Sequence, residues 1–321
     1  MPVFYATTPW DITQLDFNQG FRTTHSSAST AASPFTPFTS PFPIDGVNYT
    51  VASHTVQVET ELTVNYGTNT DYLDGSGFTF DGAGNIIGGT VQGIAQDVNG
   101  TFTYALAGCS VSALDFWAAT QTVGNADDIA MFNLMLAGND FILLANFNDR
   151  FDSGAGRDLI YARSGLDRIN AGADDDIVLA GTGNDRVNGG TGNDILYGDV
   201  GTDQLNGGDG RDILSGDRGN DQLSGGNGVD FFAFSRRGGD DVITDFVAAD
   251  DQIIIRNGAV SMADVTIQKV GSDTVIAFAD VTITLQNVAR SSVSAADIIF
   301  NGNSIFDAAA AHFFAGWDYF A

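Results

Sequence analysis

The chain has 321 residues, 43% of them hydrophobic, and a formal net charge of −27, which is length enough for two or three modules with real cores. Acidity this strong argues against nucleic acid and anionic membrane as partners, because a chain whose one lysine is Lys269 offers neither phosphate neutralisation nor a polybasic patch. Cys109 is the sole cysteine, so no disulfide can form within the chain, and no stretch is long and apolar enough to span a bilayer as a helix.

Met1 to Phe21 has neither a basic start nor a continuous apolar run, so no cleavable N-terminal signal is expected. Thr23 to Pro43 is rich in Ser, Thr, Pro and Phe, and Pro34, Pro37, Pro41 and Pro43 exclude regular helix. An extended connector is predicted there, closing an N-terminal segment over residues 1–45. From Val47 to Ala107 polar and apolar residues alternate, as in Thr55 to Val64, and Asp81-Gly82 and Asn99-Gly100 punctuate the alternation as turns. This predicts an antiparallel β-module over residues 46–134. Ser112 caps a predicted short helix to Thr120, and Asn125 another carrying Ile129, Phe132 and Leu136 until Gly138 stops it.

From Met135 to Ala233 the sequence repeats every nine residues without insertion or deletion. The sixth position is always aspartate, from Asp140 and Asp149 through Asp158, Asp167, Asp176, Asp185, Asp194, Asp203, Asp212 and Asp221 to Asp230. The eighth position is always apolar, and the fourth is glycine except at Phe147 and Asp174. An x-apolar-x triplet makes one short strand, and six residues rich in Gly, Asn and Asp make the turn that follows it. Two nonapeptides then form one coil of a flattened parallel β-solenoid, with the eighth-position side chain pointing inward. Stacking the coils places the aspartates in two columns, one along each edge, with members roughly 5 Å apart. Columns of like charge repel unless a hard, oxygen-loving cation stands between neighbours, and calcium accepts carboxylates and carbonyls in flexible geometry. The outward positions differ by face: the seventh is Phe141, Leu159, Ile177, Ile195, Ile213 and Phe231 on one, and Arg150, Arg168, Arg186, Gln204 and Gln222 on the other. An apolar strip of that length needs a cover. The predicted candidates are the helix around Ile129 to Leu136, the strands after Phe234, or a partner surface.

These residues resemble the RTX repeat, GGxGxDxUx, a calcium-binding nonapeptide. The resemblance implies a β-roll over residues 135–233 with several Ca2+ ions, each between turns of neighbouring coils. It assigns as ligands the aspartates Asp158, Asp167, Asp176, Asp185, Asp194, Asp203, Asp212, Asp221 and Asp230 together with turn carbonyls at Gly183, Gly192, Gly201, Gly210, Gly219 and Gly228. Asp140 and Asp149 belong to units that depart from the pattern. The pairs Asp185 with Asp203, Asp194 with Asp212, Asp203 with Asp221 and Asp212 with Asp230 are the best formed by position. Proteins resembling this family leave Gram-negative bacteria unfolded through a type I exporter, with an uncleaved C-terminal signal, and work outside or on the cell surface. The apolar, aromatic tail from Asp307 to Ala321 suits such a signal, and suits a packed terminal helix equally.

Residues 234–321 alternate again, at Asp241 to Phe246, Gln252 to Ile255, Asp273 to Phe278 and Val281 to Leu285, and predict a β cap for the open end of the coil. Gly239 to Asp251 resembles the segment after the roll in serralysin-type proteases, but no H-E-x-x-H is present and the three histidines, His25, His54 and His312, are scattered. The expected class is therefore mainly all-β: an N-terminal antiparallel module with one or two short helices, a central roll and a C-terminal cap. Two functions fit this sequence. One is a secreted, non-enzymatic calcium-binding protein whose N-terminal module serves adhesion, cell-surface or polysaccharide attachment, or matrix association. The other is a secreted hydrolase or polysaccharide-modifying enzyme, for which Glu59, Glu61, Asp71, Asp74 and Asp81 offer an acid pair or merely the solvated faces of a β-module.

Overall fold

The computed structural model describes residues 136–248 and 250–301, together with the backbone of eight strands between Val3 and Ser112. The chain divides into two compact units, Met1–Ala145 with Gly316–Ala321, and Asn146–Ala315. In the first unit Thr60–Tyr66, Asn69–Phe80, Ile86–Val98 and Thr101–Ser112 follow one another as an antiparallel meander. The alternating sequence folds as expected, with Val98 paired to Thr101 where the last two strands meet, and the predicted turn residues Asp81-Gly82 and Asn99-Gly100 lie outside the described residues. Register shifts at Asp74/Gly75 and Ser76/Thr79 mark irregularities where strand glycines commonly sit. Val3–Ala6 lies antiparallel to Thr101–Ser112 and parallel to Phe141–Leu143. The bodies of both predicted helices, and the tail from Asp307, fall outside the described residues.

In the second unit successive nonapeptides feed two sheets in turn. Leu159–Tyr161, Ile177–Leu179, Ile195–Tyr197, Ile213–Ser215 and Phe231–Phe234 stack in parallel as one sheet. Arg150–Asp152, Arg168–Ala173, Arg186–Thr191, Gln204–Gly210 and Gln222–Gly228 stack as the other. Residues eighteen apart pair directly, as Ile177 with Ile195 and Arg168 with Arg186. The inward column, including Phe151, Ile160, Val178, Leu196, Leu214 and Phe232, is buried, and each such side chain contributes about 1.5–3 kcal/mol through removal from water.

The sheets are less alike than the nonapeptide suggests. Strands on the apolar side are three or four residues long, whereas from Arg168–Ala173 onward those on the polar side reach six or seven, running on through Gly172, Gly190, Gly208 and Gly226. Their outer faces differ as the seventh position predicts. Ile177, Ile195 and Ile213 are 0%, 3% and 2% exposed, while Arg168, Arg186 and Gln204 are exposed.

The strands after Phe234 do not cross the apolar face. Gln252–Ile255 adds in parallel to Phe231–Phe234, and Ile298–Phe300 adds beyond it. Asp240–Ile243 continues the polar sheet and Val281–Leu285 pairs with it, after which Asp273–Phe278 and Thr266–Val270 fold back antiparallel. The reason is backbone accounting. The last coil presents a row of carbonyls, and Gln252 and Arg256 donate to Asp230 and Phe234 at 2.8 and 2.9 Å, bonds that packing across the face would leave unmade. The outermost strand, Thr266–Val270, is largely exposed and carries Lys269, a charge that discourages pairing with another chain.

Candidate metal centre

Each aspartate of a column is tied to the coil before it. The carboxylate oxygen Oδ1 of Asp167, Asp176, Asp185, Asp194, Asp203, Asp212 and Asp230 accepts the backbone N–H of the aspartate eighteen residues earlier, at 2.7–3.0 Å. Asp221 accepts from Asp203 in the same way at 2.8 Å. The fifth position runs a parallel ladder, in which Asn148, Asn184 and Asn193 accept the N–H of Leu166, Thr202 and Arg211 in the following coil. This explains the preference for Asn or Asp at that position, since only a short side chain with an acceptor reaches a backbone amide of the next coil.

Glycine is required in these turns for closeness as much as for conformation. Gly183, Gly192, Gly210, Gly219 and Gly228 have φ of 143–155°, and a Cβ on any of them would overlap the fourth-position carbonyl oxygen of the preceding coil. At the first position the obstruction is the carboxylate itself. The place a Cβ would take at Gly198 lies 2.5 Å from Asp203 Oδ2 and 2.9 Å from the carbonyl oxygen of Gly216 in the next coil. Gly189 and Gly207 form the same cradle with Asp194 and Gly207 O, and with Asp212 and Gly225 O.

The second carboxylate oxygen is what remains unsatisfied. Oδ2 of Asp167, Asp176, Asp185, Asp194, Asp203, Asp212, Asp221 and Asp230 is buried and receives no hydrogen bond. Burial therefore disfavours ionisation, opposed by the single backbone N–H and reinforced in most of them by like charges above and below. It raises Asp167 and Asp212 to about 7, Asp194 and Asp203 to about 8 and Asp176 to about 10, from an ordinary 3.8. A row of orphaned carboxylate oxygens is the kind of feature that needs an explanation. Calcium fits these residues. It takes oxygen ligands at about 2.3–2.6 Å in irregular geometry, and each cradle offers it a carboxylate oxygen and a carbonyl oxygen across two coils. Among the described residues no three His, Cys, Asp or Glu side chains converge on one point, so backbone carbonyls must complete any shell. Zinc, which prefers nitrogen and sulfur donors in a closed tetrahedron, does not suit such a set.

All the predicted aspartates are buried in the positions the period assigns them, Asp140 and Asp149 included. The early units, despite lacking turn glycines, keep the ladder: Asp149 donates to Asp167 and Asp158 to Asp176. The fourth-position carbonyls abut the fourth-position Cα of the next coil, a place that Oδ1 of Asp185, Asp203 and Asp221 also approaches at Gly183, Gly201 and Gly219, whereas the first-position carbonyls at Gly207, Gly216 and Gly225 share their cradles with Oδ2. Sequence reasoning missed these first-position carbonyls. It also missed Asp241 and Asp251, which continue the two columns beyond the repeats and accept the N–H of Asp221 and Asp230 at 2.9 and 3.0 Å. The readable signal was Asp-x-apolar, kept in Asp241-Val242-Ile243 and Asp251-Gln252-Ile253 after the nine-residue spacing is lost. Over the polar sheet a shallow groove is bordered by Asn188, Asn206, Asp209 and Asn227, but these amides bond along the stack, Asn206 to Asn188 and Asn227 to Asp209.

A family model described as the RTX calcium-binding nonapeptide repeat (4 copies) matches residues 145–178, 170–205, 179–214 and 197–232. No curated protein matches the chain. Among solved structures, the extracellular lipase LipA from Serratia marcescens is similar at 18% identity and a TM-score of 0.29, over 51% of this chain and 40% of the lipase. This chain thus spans less than half of that enzyme's length. The AlgE6R2 subunit of the Azotobacter vinelandii mannuronan C5-epimerase is similar at 24% identity and a TM-score of 0.30, over 37% of this chain and 89% of the subunit. The AlgE6R3 subunit of the same epimerase shows 27% identity and a TM-score of 0.22, over 40% of this chain and 80% of the subunit. No helix among the described residues is long and apolar enough to cross a membrane. With a parallel roll, two columns of buried aspartates and the match over residues 145–232, this chain carries the calcium-binding repeats of the RTX family.

Proposed function

We propose that this protein is exported unfolded through a type I exporter and folds outside the cell as calcium fills the roll. The observation that carries this reading is the set of eight buried, unpartnered carboxylate oxygens. Without a cation their burial opposes folding, and with one it favours folding, so binding free energy becomes folding free energy. Each ion bridges neighbouring coils on one edge, using Asp185 with Asp203, Asp194 with Asp212, Asp203 with Asp221, Asp212 with Asp230 and the corresponding earlier pairs from Asp149 and Asp158 onward. First-position carbonyls join the aspartates as ligands. Low calcium in the cytosol keeps the chain export-competent, and calcium at ~10⁻⁴ to 10⁻³ M, the affinity range of extracellular modules, closes the roll. The antiparallel module then serves attachment to a cell surface, matrix or polysaccharide.

The test is circular dichroism of the full chain during a calcium titration, with magnesium as control. β-structure should appear cooperatively with calcium and not with equal magnesium. Full β-content after exhaustive chelation at neutral pH would overturn the reading.

A further inference from the structure

The two edges of the roll end differently. On the edge of Asp194, Asp212 and Asp230 the protein closes the column with its own donors. Asp251 accepts Asp230 N–H at Oδ1 and Val247 N–H at Oδ2, at 3.0 and 2.7 Å, so both oxygens are occupied. Asp245 is occupied likewise, by Gly225 N–H at 3.0 Å, Gly226 N–H at 2.9 Å and the Ser224 hydroxyl at 2.6 Å. On the edge of Asp185, Asp203 and Asp221 nothing of the kind occurs. Asp241 accepts one hydrogen bond, from Asp221 N–H to Oδ1, although it is 3% exposed. The neighbouring Asp221, 2% exposed, keeps its Oδ2 without a partner, as Asp230 does beside Asp251, so the two edges differ at Asp241 and Asp251 themselves.

The backbone around Asp241 adds oxygens of the right kind. The place a Cβ would take at Gly238 lies 3.1 Å from Ser235 O, 3.4 Å from Asp217 O and 3.6 Å from Asp241 Oδ2. This cradle is roomier than those inside the repeat, and its glycine keeps it open. We infer that Asp241 ligates a further cation beyond the nonapeptides, held with Asp221 and the carbonyls of Asp217 and Ser235, while Asp251 is a cation-free stop built from backbone amides. The insertion of two residues between Asp221 and Asp241, relative to the eighteen-residue coil, brings the Ser235 to Gly239 turn over this edge. Calcium is the ion that suits two carboxylates and two carbonyls. This inference rests on the calcium reading of the repeats and extends it to residues outside them.

The experiment is anomalous diffraction from crystals of the full chain grown with terbium, a calcium substitute with a strong signal, paired with calcium counting on Asp241→Asn and Asp251→Asn. A peak within about 2.3–2.6 Å of an Asp241 oxygen, alongside peaks between the repeat aspartates, is expected. Asp241→Asn should hold one ion fewer than the parent, with Asp251→Asn unchanged. Peaks in the repeats with none at Asp241, an unchanged count in Asp241→Asn, or an ion lost from Asp251→Asn would each overturn this site and leave the repeat reading standing. Absence of peaks from the repeats as well would overturn both.

Discussion

Acid should do part of the work of calcium. In the metal-free fold Asp167, Asp176, Asp194, Asp203, Asp212 and Asp241 have pKa values of about 7 or higher, because burial penalises their charged form. In the unfolded chain they return to about 3.9. Between pH 5 and 7 the folded state therefore holds protons that the unfolded state has released, and metal-free stability must fall as pH rises through this window. The penalty is complete above the folded pKa values and vanishes below the unfolded one. Each proton is worth about 1.4 kcal/mol per pH unit, so six independent groups would give ~8 kcal/mol per unit. Halving that, because stacked neighbours titrate together and water screens the turns, leaves ~4 kcal/mol. Two units of acidification then move stability by an amount comparable to the whole stability of a typical domain. Far-UV circular dichroism in metal-free buffer, stepped from pH 8 to pH 5 and kept above the isoelectric point of about 4.1, should show β-structure growing as pH falls. With calcium present the trend should reverse, since protons compete for the same oxygens. Metal-free β-content that stays flat or declines on acidification would refute the argument.

Gly192→Ala should raise the calcium needed for folding and cost more than about 3 kcal/mol in urea titrations, since its φ is +143° and a Cβ overlaps Asp174 O. Gly271→Ala, also at positive φ but with nothing within 4 Å, should cost only about 1 kcal/mol. In the calcium-loaded roll Leu196→Ala should cost about 2–5 kcal/mol by calorimetry or urea, whereas Arg186→Ala, on the exposed face, should stay within about 0.5 kcal/mol. Deleting residues 301–321 should leave the protein inside the producing cell while its calcium-driven folding in vitro is retained, and normal export of the truncated chain would show that the tail carries no export signal.

Much of the roll was legible because its period is strict. With Asp at every sixth position and an apolar residue at every eighth, shifting the register by one residue would point the core outward, so pairing of Ile177 with Ile195 follows from the spacing. The contrast between Ile195 and Arg186 was legible for the same reason. The continuation of the columns was not, since two and three inserted residues carry Asp241 and Asp251 out of the period while hydrogen bonds hold them in line. Nor were the longer strands of the polar side, which depend on how far Gly190 and Gly208 run in step beyond the apolar triplet. The closeness of the first-position carbonyls to the aspartates was hidden because a backbone oxygen leaves no mark in the sequence except the glycine that makes room for it.

Pairing at eighteen residues also sets the quantum by which such a roll can change length. Removing two consecutive nonapeptides, for instance residues 180–197, brings equivalent residues back into contact and leaves both sheets, both aspartate columns and the cap in place. Removing one nonapeptide, residues 189–197, moves every later unit to the opposite side. Gln204 would then stack on Ile177, Ile213 on Arg186, and the covered side of the remaining coils would become polar. Asp203 would still find an aspartate N–H to accept, so the metal columns would survive an edit that the faces would not. Duplications and losses in this architecture should therefore be tolerated in whole coils, with the two outer faces, and not the ligands, acting as the proofreader.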